Sequence, residues 1–311
     1  MKVAIVGAGN VGSACLLCLV MRGVAREIVV INRRRERAQG IVTDIQYGAP
    51  LSCPVALRAG DYADLDGAQL VLITAGVNEK TGGATDRSDA AGRLKLLDRN
   101  AAVYRDIVPK IVASAPQAVI LVVTDPPDPL ADLARTLAGH DRVLSTGTFL
   151  DTLRFRFHLA RCLGVHPMSI EAQVLGEHGT SQVFIWSSAR IGGTPIHEAL
   201  GQRAQQAQEF RQRIEQEVRF ANITIIEGTG ASQLGIGMVA ARIADAILRD
   251  EEAAIPIGAY NARHGVTLSL PAIVGRQGVS RVLEPDMTDG ERNALDESAN
   301  QLRQAVAWLG H

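Results

Sequence analysis

Val3-Ala-Ile-Val6, then Gly7-Ala-Gly9-Asn10-Val11-Gly12, then a run to Ile28-Val-Val-Ile31 and Asn32, is the stretch that decides the fold of this chain. Val3–Val6 is short, apolar and rich in β-branched residues, the pattern of a buried strand. Ser13–Met21 has the length and composition of a helix, and Ile28–Ile31 reads as a second buried strand. Strand, glycine turn, helix and strand follow within about thirty residues, the context in which a GxGxxG spacing points to dinucleotide binding rather than to an ordinary tight turn. Gly7 lets the chain turn sharply, Gly9 lets a pyrophosphate approach the backbone, and Gly12 lets the helix pack against the strand. The helix N-terminus offers unpaired N–H groups and partial positive charge to the phosphates. Asn10 and Val11 belong to the same candidate cofactor site, as do Thr74, Ala75, Gly76 and Thr124 at the carboxyl ends of two later strands.

At 311 residues the chain has room for one large or two moderate domains. Apolar residues make up 47% and charged residues 21%, enough for a large core and too apolar for disorder. A formal net charge of −1 gives no reason to expect nucleic acid or an acidic membrane surface as partner. The first strand begins almost at Met1, leaving no room for a signal peptide, and no apolar run is long enough to span a bilayer. A soluble, cytoplasmic protein is expected. Cys15 and Cys18 form a C-x-x-C, but on a helix committed to phosphate and with no second Cys/His pair nearby. Two small buried residues are expected there, and no metal.

The alternation continues. Arg33–Gln46 suits a helix, Val55–Arg58 a strand and Leu70–Thr74 a third buried strand. Residues 79–92 then form a long polar stretch without periodicity, read as a lid beyond a strand's carboxyl end. Arg93–Ala113 is an amphipathic helix, Val119–Val123 a fourth buried strand, and a helix to about Ala138 and a short strand at Arg142–Leu144 complete a doubly wound parallel sheet. Beyond this the pattern changes. Helices are expected at Asp151–Leu163, Gln202–Thr224, Ser232–Arg249 and Asp289–Leu309, and strands at Ile170–Leu175, Gln182–Trp186, Ala254–Ala259 and Val266–Ala272. The expected class is α/β, a Rossmann-type dinucleotide-binding domain over 1–145 followed by an α+β substrate and catalytic domain over 146–311.

Ionisable residues cluster in turn-like or helix-start positions at Arg93, at Asp151 and Arg154, and at His178. Asp151 and Arg154 are three apart and share a helix face. Glycines flank the Glu177-His178 pair, so the backbone can carry the imidazole close to a ligand. Beside a nicotinamide these residues make chemical sense. Ketone reduction needs a proton donor, a His serves near neutral pH, a carboxylate orients it, and an Arg grips a substrate carboxylate with two parallel hydrogen bonds.

GAGNVGS, GDYADLDGAQLVLITAGVN, LSTGTFLDTLRFRF, GEHG and IIEGTGAS together resemble the L-lactate/malate dehydrogenase family over nearly the whole chain. The resemblance implies His178 as acid/base, Asp151 as its partner, Arg154 as the carboxylate clamp, and Ser232 at a pocket position that is Thr in the family. It implies a carbonyl-polarising lid arginine, Arg93 or alternatively Arg87, in a lid longer than is usual. It also implies a homodimer or homotetramer acting on a small 2-keto or 2-hydroxy acid. Three departures stand out: Asp125 follows Thr124 where the family has Asn, Glu79 occupies the position that separates lactate from malate enzymes, and Thr180 follows GEHG. Negative charge at Glu79 and Asp125 disfavours a dicarboxylic substrate. The alternative from another class is a non-catalytic dinucleotide sensor of the same fold, which Asp125 keeps open. Asn32 stands where NAD-specific domains carry an acid, about twenty residues past the glycines, and Arg33, Arg34 and Arg35 follow it. NADP is therefore favoured over NAD, with Arg33 or Arg34 on the extra phosphate.

Overall fold

The computed structural model describes residues 1–77, 90–201 and 207–310, with the side chains of all of these except 90–95 and 207. The first half of the chain runs β1 (Lys2–Val6), α1 (Asn10–Arg22), β2 (Glu27–Ile31), α2 (Arg35–Gly48), β3 (Ala56–Ala59), β4 (Leu70–Ile73), α3 (Ala90–Ser114), β5 (Val119–Val122), α4 (Pro127–Ala138) and β6 (Val143–Ser145). The second half runs α5 (Phe149–Leu163), β7 (Ile170–Leu175), β8 (Val183–Ile191), β9 (Thr194–Pro195), α6 (Ile196–Leu200), α7 (Ala207–Arg219), α8 (Ala221–Thr229), α9 (Leu234–Leu248), β10 (Ala253–Asn261), β11 (Val266–Gly275), β12 (Gly278–Val282) and α10 (Asp289–Trp308).

The first six strands pair in parallel in the order β6-β5-β4-β1-β2-β3, the doubly wound arrangement. Their residues are buried on both faces, which is why they read as unbroken apolar runs rather than as alternating ones. Val3 and Ile5 of β1 join Leu16, Leu19 and Ile243 in a core on one side of the sheet. Ala4 and Val6 join Leu97, Tyr104 and Leu130 on the other. The sheet continues past β6, because β10 pairs antiparallel with it and β11 and β12 follow. A separate three-stranded sheet, β7-β8-β9, packs against α5 and α7. Cys15 lies in the core, where burial pushes its thiol up to about 12, and Cys18 is half-buried beside it. Among the described residues no single helix is long and apolar enough to cross a membrane.

Several boundaries differ from the sequence reading. The helix expected over Gln202–Thr224 is interrupted at Phe220, between α7 and α8, and residues 202–206 lie outside the described residues. Its apolar stripe explains the break. Ile214 and Val218 are buried four apart, whereas the next buried residues are Ile223 and Ile226. One continuous helix cannot keep both pairs on the core side. α9 starts at Leu234 rather than Ser232, leaving Ser232 in the preceding loop. α2 starts at Arg35, with Arg34 as its N-cap residue, so only one of the three arginines lies inside the helix. β9 is only two residues long, and β12 is a five-residue edge strand, Gly278-Val-Ser-Arg-Val282, with one buried residue and so no buried apolar run to read.

Candidate active site

A cleft of about 1140 Å³ runs along the carboxyl ends of β1, β4 and β5. The glycine loop forms its floor, and each glycine does a different thing. Gly7 has φ +116, and a Cβ on it would lie 2.5 Å from Ala75 N. A Cβ on Gly12 would collide with Gly7 O and lie 2.8 Å from Thr74 Oγ1. A Cβ on Gly9 would have nothing within 4 Å. Gly7 and Gly12 are therefore packing positions, and Gly9 is the one open to a ligand. α1 begins at Asn10 with no side-chain cap, so its first N–H groups are available to phosphate. Thr74 Oγ1 donates to Gly7 O at 2.8 Å and Thr124 Oγ1 to Ala75 O at 2.9 Å, tying the three strand ends together. A long cleft with an open glycine beside an uncapped helix start fits an extended dinucleotide.

Asn10, Val11, Asn32, Arg33, Arg34, Thr74, Ala75, Gly76, Thr124, Asp125, Arg154, His178 and Ser232 all line this one cleft, with Gly7 and Gly9. Glu79 and Arg87 lie outside the described residues. Arg93 falls in α3, and its side chain is likewise outside them. At the end formed by β2, Asn32 is held at both ends of its amide. Oδ1 accepts from Ala8 N and Nδ2 donates to Arg34 O, each at 3.0 Å. Arg35 pairs with Asp61 at 2.5 Å. Arg37, which sequence reasoning missed, also lines the cleft and donates from Nε to Ala8 O at 2.5 Å. The guanidinium groups of Arg33 and Arg34 are exposed and tied to no other described residue.

At the other end three elements converge. Asp151, on the first turn of α5, is buried, and its Oδ2 lies 2.5 Å from His178 Nδ1. Its Oδ1 accepts from Arg154 at 2.9 Å. Burial alone would raise the Asp151 carboxyl. The charge and hydrogen bond of His178, and then those of Arg154, outweigh it and hold the carboxyl below the usual range. Asp151 is thus an ionised acceptor, so Nδ1 carries a proton and Nε2 is left toward the cleft. Asp125 Oδ1 lies 3.9 Å from Nε2. The imidazole stands between two carboxylates.

Two buried residues of this end carried no role in the sequence reading. Asn100 accepts from Val77 N at 2.7 Å and donates to Asp125 O at 2.7 Å, joining the ends of β4 and β5. The structure buries Asn100 completely, an amide set i+4 and i+3 from Leu96 and Leu97 in the apolar stripe of α3. Asp128, in the run Pro126-Pro-Asp-Pro129 at the start of α4, accepts from His178 N at 2.7 Å.

An open glycine loop at the edge of a parallel sheet, with a carboxylate-oriented imidazole at the far end of the same cleft, defines a dinucleotide-binding α/β protein equipped for acid–base chemistry. The chain belongs to the lactate/malate dehydrogenase family. Residues 1–144 match the family's NAD binding domain and residues 148–308 its alpha/beta C-terminal domain. It is 44% identical to an L-lactate dehydrogenase of Thermus aquaticus, covering 100% of both chains, and 42% identical to one of Deinococcus radiodurans, again covering 100% of both. Among solved structures it resembles a lactate dehydrogenase from a Medee basin deep-sea metagenome library. The TM-score is 0.91 at 32% identity, covering 100% of this chain and 99% of that one. A minor L-lactate dehydrogenase of Enterococcus mundtii gives 0.90 at 34% identity, covering 98% and 97%.

Proposed function

We propose that the chain is a nicotinamide-dependent L-2-hydroxyacid dehydrogenase that interconverts a small 2-hydroxy acid and its 2-keto acid. The observation that carries this reading is the buried carboxylate shared by His178 and Arg154, at 2.5 and 2.9 Å, beside the cleft that Gly9 leaves open. A reduced nicotinamide, when bound, supplies the hydride. His178 gives a proton from Nε2 to the oxygen that gains charge as a ketone is reduced, and takes one back in the reverse direction. Asp151 orients the ring and stabilises the imidazolium. Arg154 grips the substrate carboxylate with its planar fork. A lid arginine, Arg93 or Arg87, polarises the carbonyl, and Ser232 lines the pocket. The non-catalytic alternative is not favoured, because the acid–base pair is assembled and the relatives above are all described as lactate dehydrogenases.

On this reading residues 1–145 hold the cofactor and 146–311 the substrate. NADP(H) is preferred over NAD(H), supported by the neutral Asn32 and by Arg33 and Arg34 at the cleft edge. Asp125, with Glu79, disfavours a second carboxylate on the substrate, so oxaloacetate is a poor substrate and neutral or cationic tails are better. The protein acts in the cytoplasm as a homodimer or homotetramer. Support for assembly comes from Leu17 and Met21 on α1 and Leu234 and Met238 on α9, which are 47, 69, 68 and 66% exposed on two helices packed together. The deciding experiment is a panel of 2-keto acids against NADH and NADPH, read by loss of nicotinamide absorbance. Cofactor binding without turnover of any keto acid would return the sensor reading.

A further inference from the structure

Three successive backbone N–H groups in the segment carrying His178 are met by acceptors from three different elements. Gly176 N donates to Ser269 O of β11 at 2.9 Å, and Glu177 N to Ser298 Oγ of α10 at 2.9 Å. His178 N donates to Asp128 Oδ2 of α4 at 2.7 Å. Asp128 is fully buried, and its other oxygen accepts from Ser145 Oγ, at the end of β6, at 2.5 Å. The surroundings are shaped around this pair. A Cβ on Gly258 would collide with Ser145 Oγ and lie 2.6 Å from Asp128 Oδ1. The acid–base histidine therefore has two carboxylates on it from inside the protein, Asp151 on the ring and Asp128 on the backbone.

We propose that Asp128 is a positioning residue of the acid–base step, setting through the backbone where His178 stands in the cleft while Asp151 sets how its ring is turned. A buried carboxylate is a costly way to fill space unless its oxygens are matched by donors. Both Asp128 oxygens are matched, one of them by the amide of the residue that carries the imidazole. A charged acceptor holds an N–H about twice as firmly as a neutral one. Burial pushes the Asp128 carboxyl up to about 6, against the opposing pull of Ser145 and His178. The fold maintains an acid at this point rather than an apolar residue of similar size.

This proposal rests on the dehydrogenase reading, and its test separates the two. With a 2-keto acid that the wild type reduces, Asp128→Ala is expected to lower kcat by about 10- to 100-fold, the effect of misplacing a catalytic group by about 1 Å, with nicotinamide KM within about twofold. Asp128→Asn keeps an oxygen for the His178 N–H and is expected to stay within about threefold of wild-type kcat. Asp132→Ala is the control. Asp132 lies one turn along the same helix, is also buried and accepts from Thr267 N at 2.6 Å, away from His178. It is expected to lose stability and keep kcat per folded site. An Asp128→Ala kcat within about threefold of wild type, or an equal fall in Asp132→Ala, overturns the proposal. If Asp128→Ala does not fold, the His178 amide proton resonance decides. It should move upfield in Asp128→Asn as the acceptor loses its charge, and an unmoved resonance overturns the proposal. A wild type that reduces no keto acid defeats the dehydrogenase reading and this proposal with it. A His178→Ala that keeps its kcat leaves the dehydrogenase reading standing and removes the acid–base role of His178, and this proposal with that role. A dead His178→Ala beside a fully active Asp128→Ala defeats this proposal alone.

Discussion

The two ends of the cleft are made of different material. The glycine-loop end is made of backbone. Gly7, Gly9, Gly12 and the start of α1 come from one short stretch, and what they offer is N–H groups and the absence of side chains. The acid–base end is made of side chains, Asp125 and Asp128 after β5, Asp151 and Arg154 on α5 and His178 after β7, gathered from places far apart in the chain. Backbone sites fail when a side chain intrudes, and side-chain sites fail when a functional group is lost. Substitutions should therefore separate the two ends cleanly.

The largest separation is expected at the acid–base end. His178→Ala and Asp151→Asn should each lower kcat by about 10²–10⁴-fold, the usual worth of general acid–base assistance. Nicotinamide affinity should stay nearly unchanged, because neither side chain belongs to the glycine loop. Stopped-flow turnover together with nicotinamide fluorescence titration reads both quantities. A His178→Ala enzyme retaining more than about a tenth of wild-type kcat would remove the role assigned to it.

The same contrast explains what could be read from the chain. The glycine-loop end was legible because its signals are local. Val3–Val6 is buried on both faces, and its glycines follow at a spacing that has a geometric meaning. At the acid–base end, residue types and the family resemblance singled out His178, Asp151 and Arg154, but no local pattern could show that α5 and the segment after β7 meet. Asp128 and Asn100 stayed hidden for that reason, since their partners lie 50 and 25 residues away. Phe220 stayed hidden because a one-residue shift in an apolar stripe is invisible until the core it faces is known.

Within the backbone end, two glycines sharpen the comparison. Gly9→Val introduces a side chain into open space, so the protein should fold with an unchanged Tm while nicotinamide KM rises about 100-fold, since a small displacement of a bound ligand is costly. Gly12→Ala places a methyl group against Gly7 O, and overpacking of this kind costs about 1–3 kcal/mol. Its Tm should fall, which differential scanning calorimetry reads. The reverse pattern would mean that Gly12, and not Gly9, faces the phosphates. At the other end, Arg154→Lys keeps the charge and loses the fork. Losing one charge-assisted hydrogen bond, worth about 1.5–3 kcal/mol, should raise keto-acid KM by about 10-fold or more and move kcat less. An equal rise in nicotinamide KM would show that the two ends are not independent.

The smallest expected effect lies where the backbone end acquires side chains, at Asn32 and the arginines after it. Arg35 pairs with Asp61 and Arg37 with Ala8 O, so on the NADP(H) reading proposed above Arg33 and Arg34, which also line the cleft, are the cations expected to meet a 2′-phosphate. A guanidinium suits that dianion in charge and geometry. Asn32 holds Ala8 N and Arg34 O through its amide. In Asn32→Asp one carboxylate oxygen can keep the bond from Ala8 N, while the other brings negative charge to the side where Nδ2 now donates. That oxygen accepts from ribose hydroxyls and repels a phosphate. Wild type should favour NADPH in kcat/KM, and Asn32→Asp should move the ratio toward NADH by about tenfold, or about 1.4 kcal/mol. Because the substitution also loosens the tie to Arg34 O, Arg33→Ala and Arg34→Ala serve as the independent arm, and at least one should weaken NADPH while leaving NADH unchanged. A wild type that prefers NADH, with both alanine variants silent, would place these arginines at the border of the cleft with no part in choosing the cofactor.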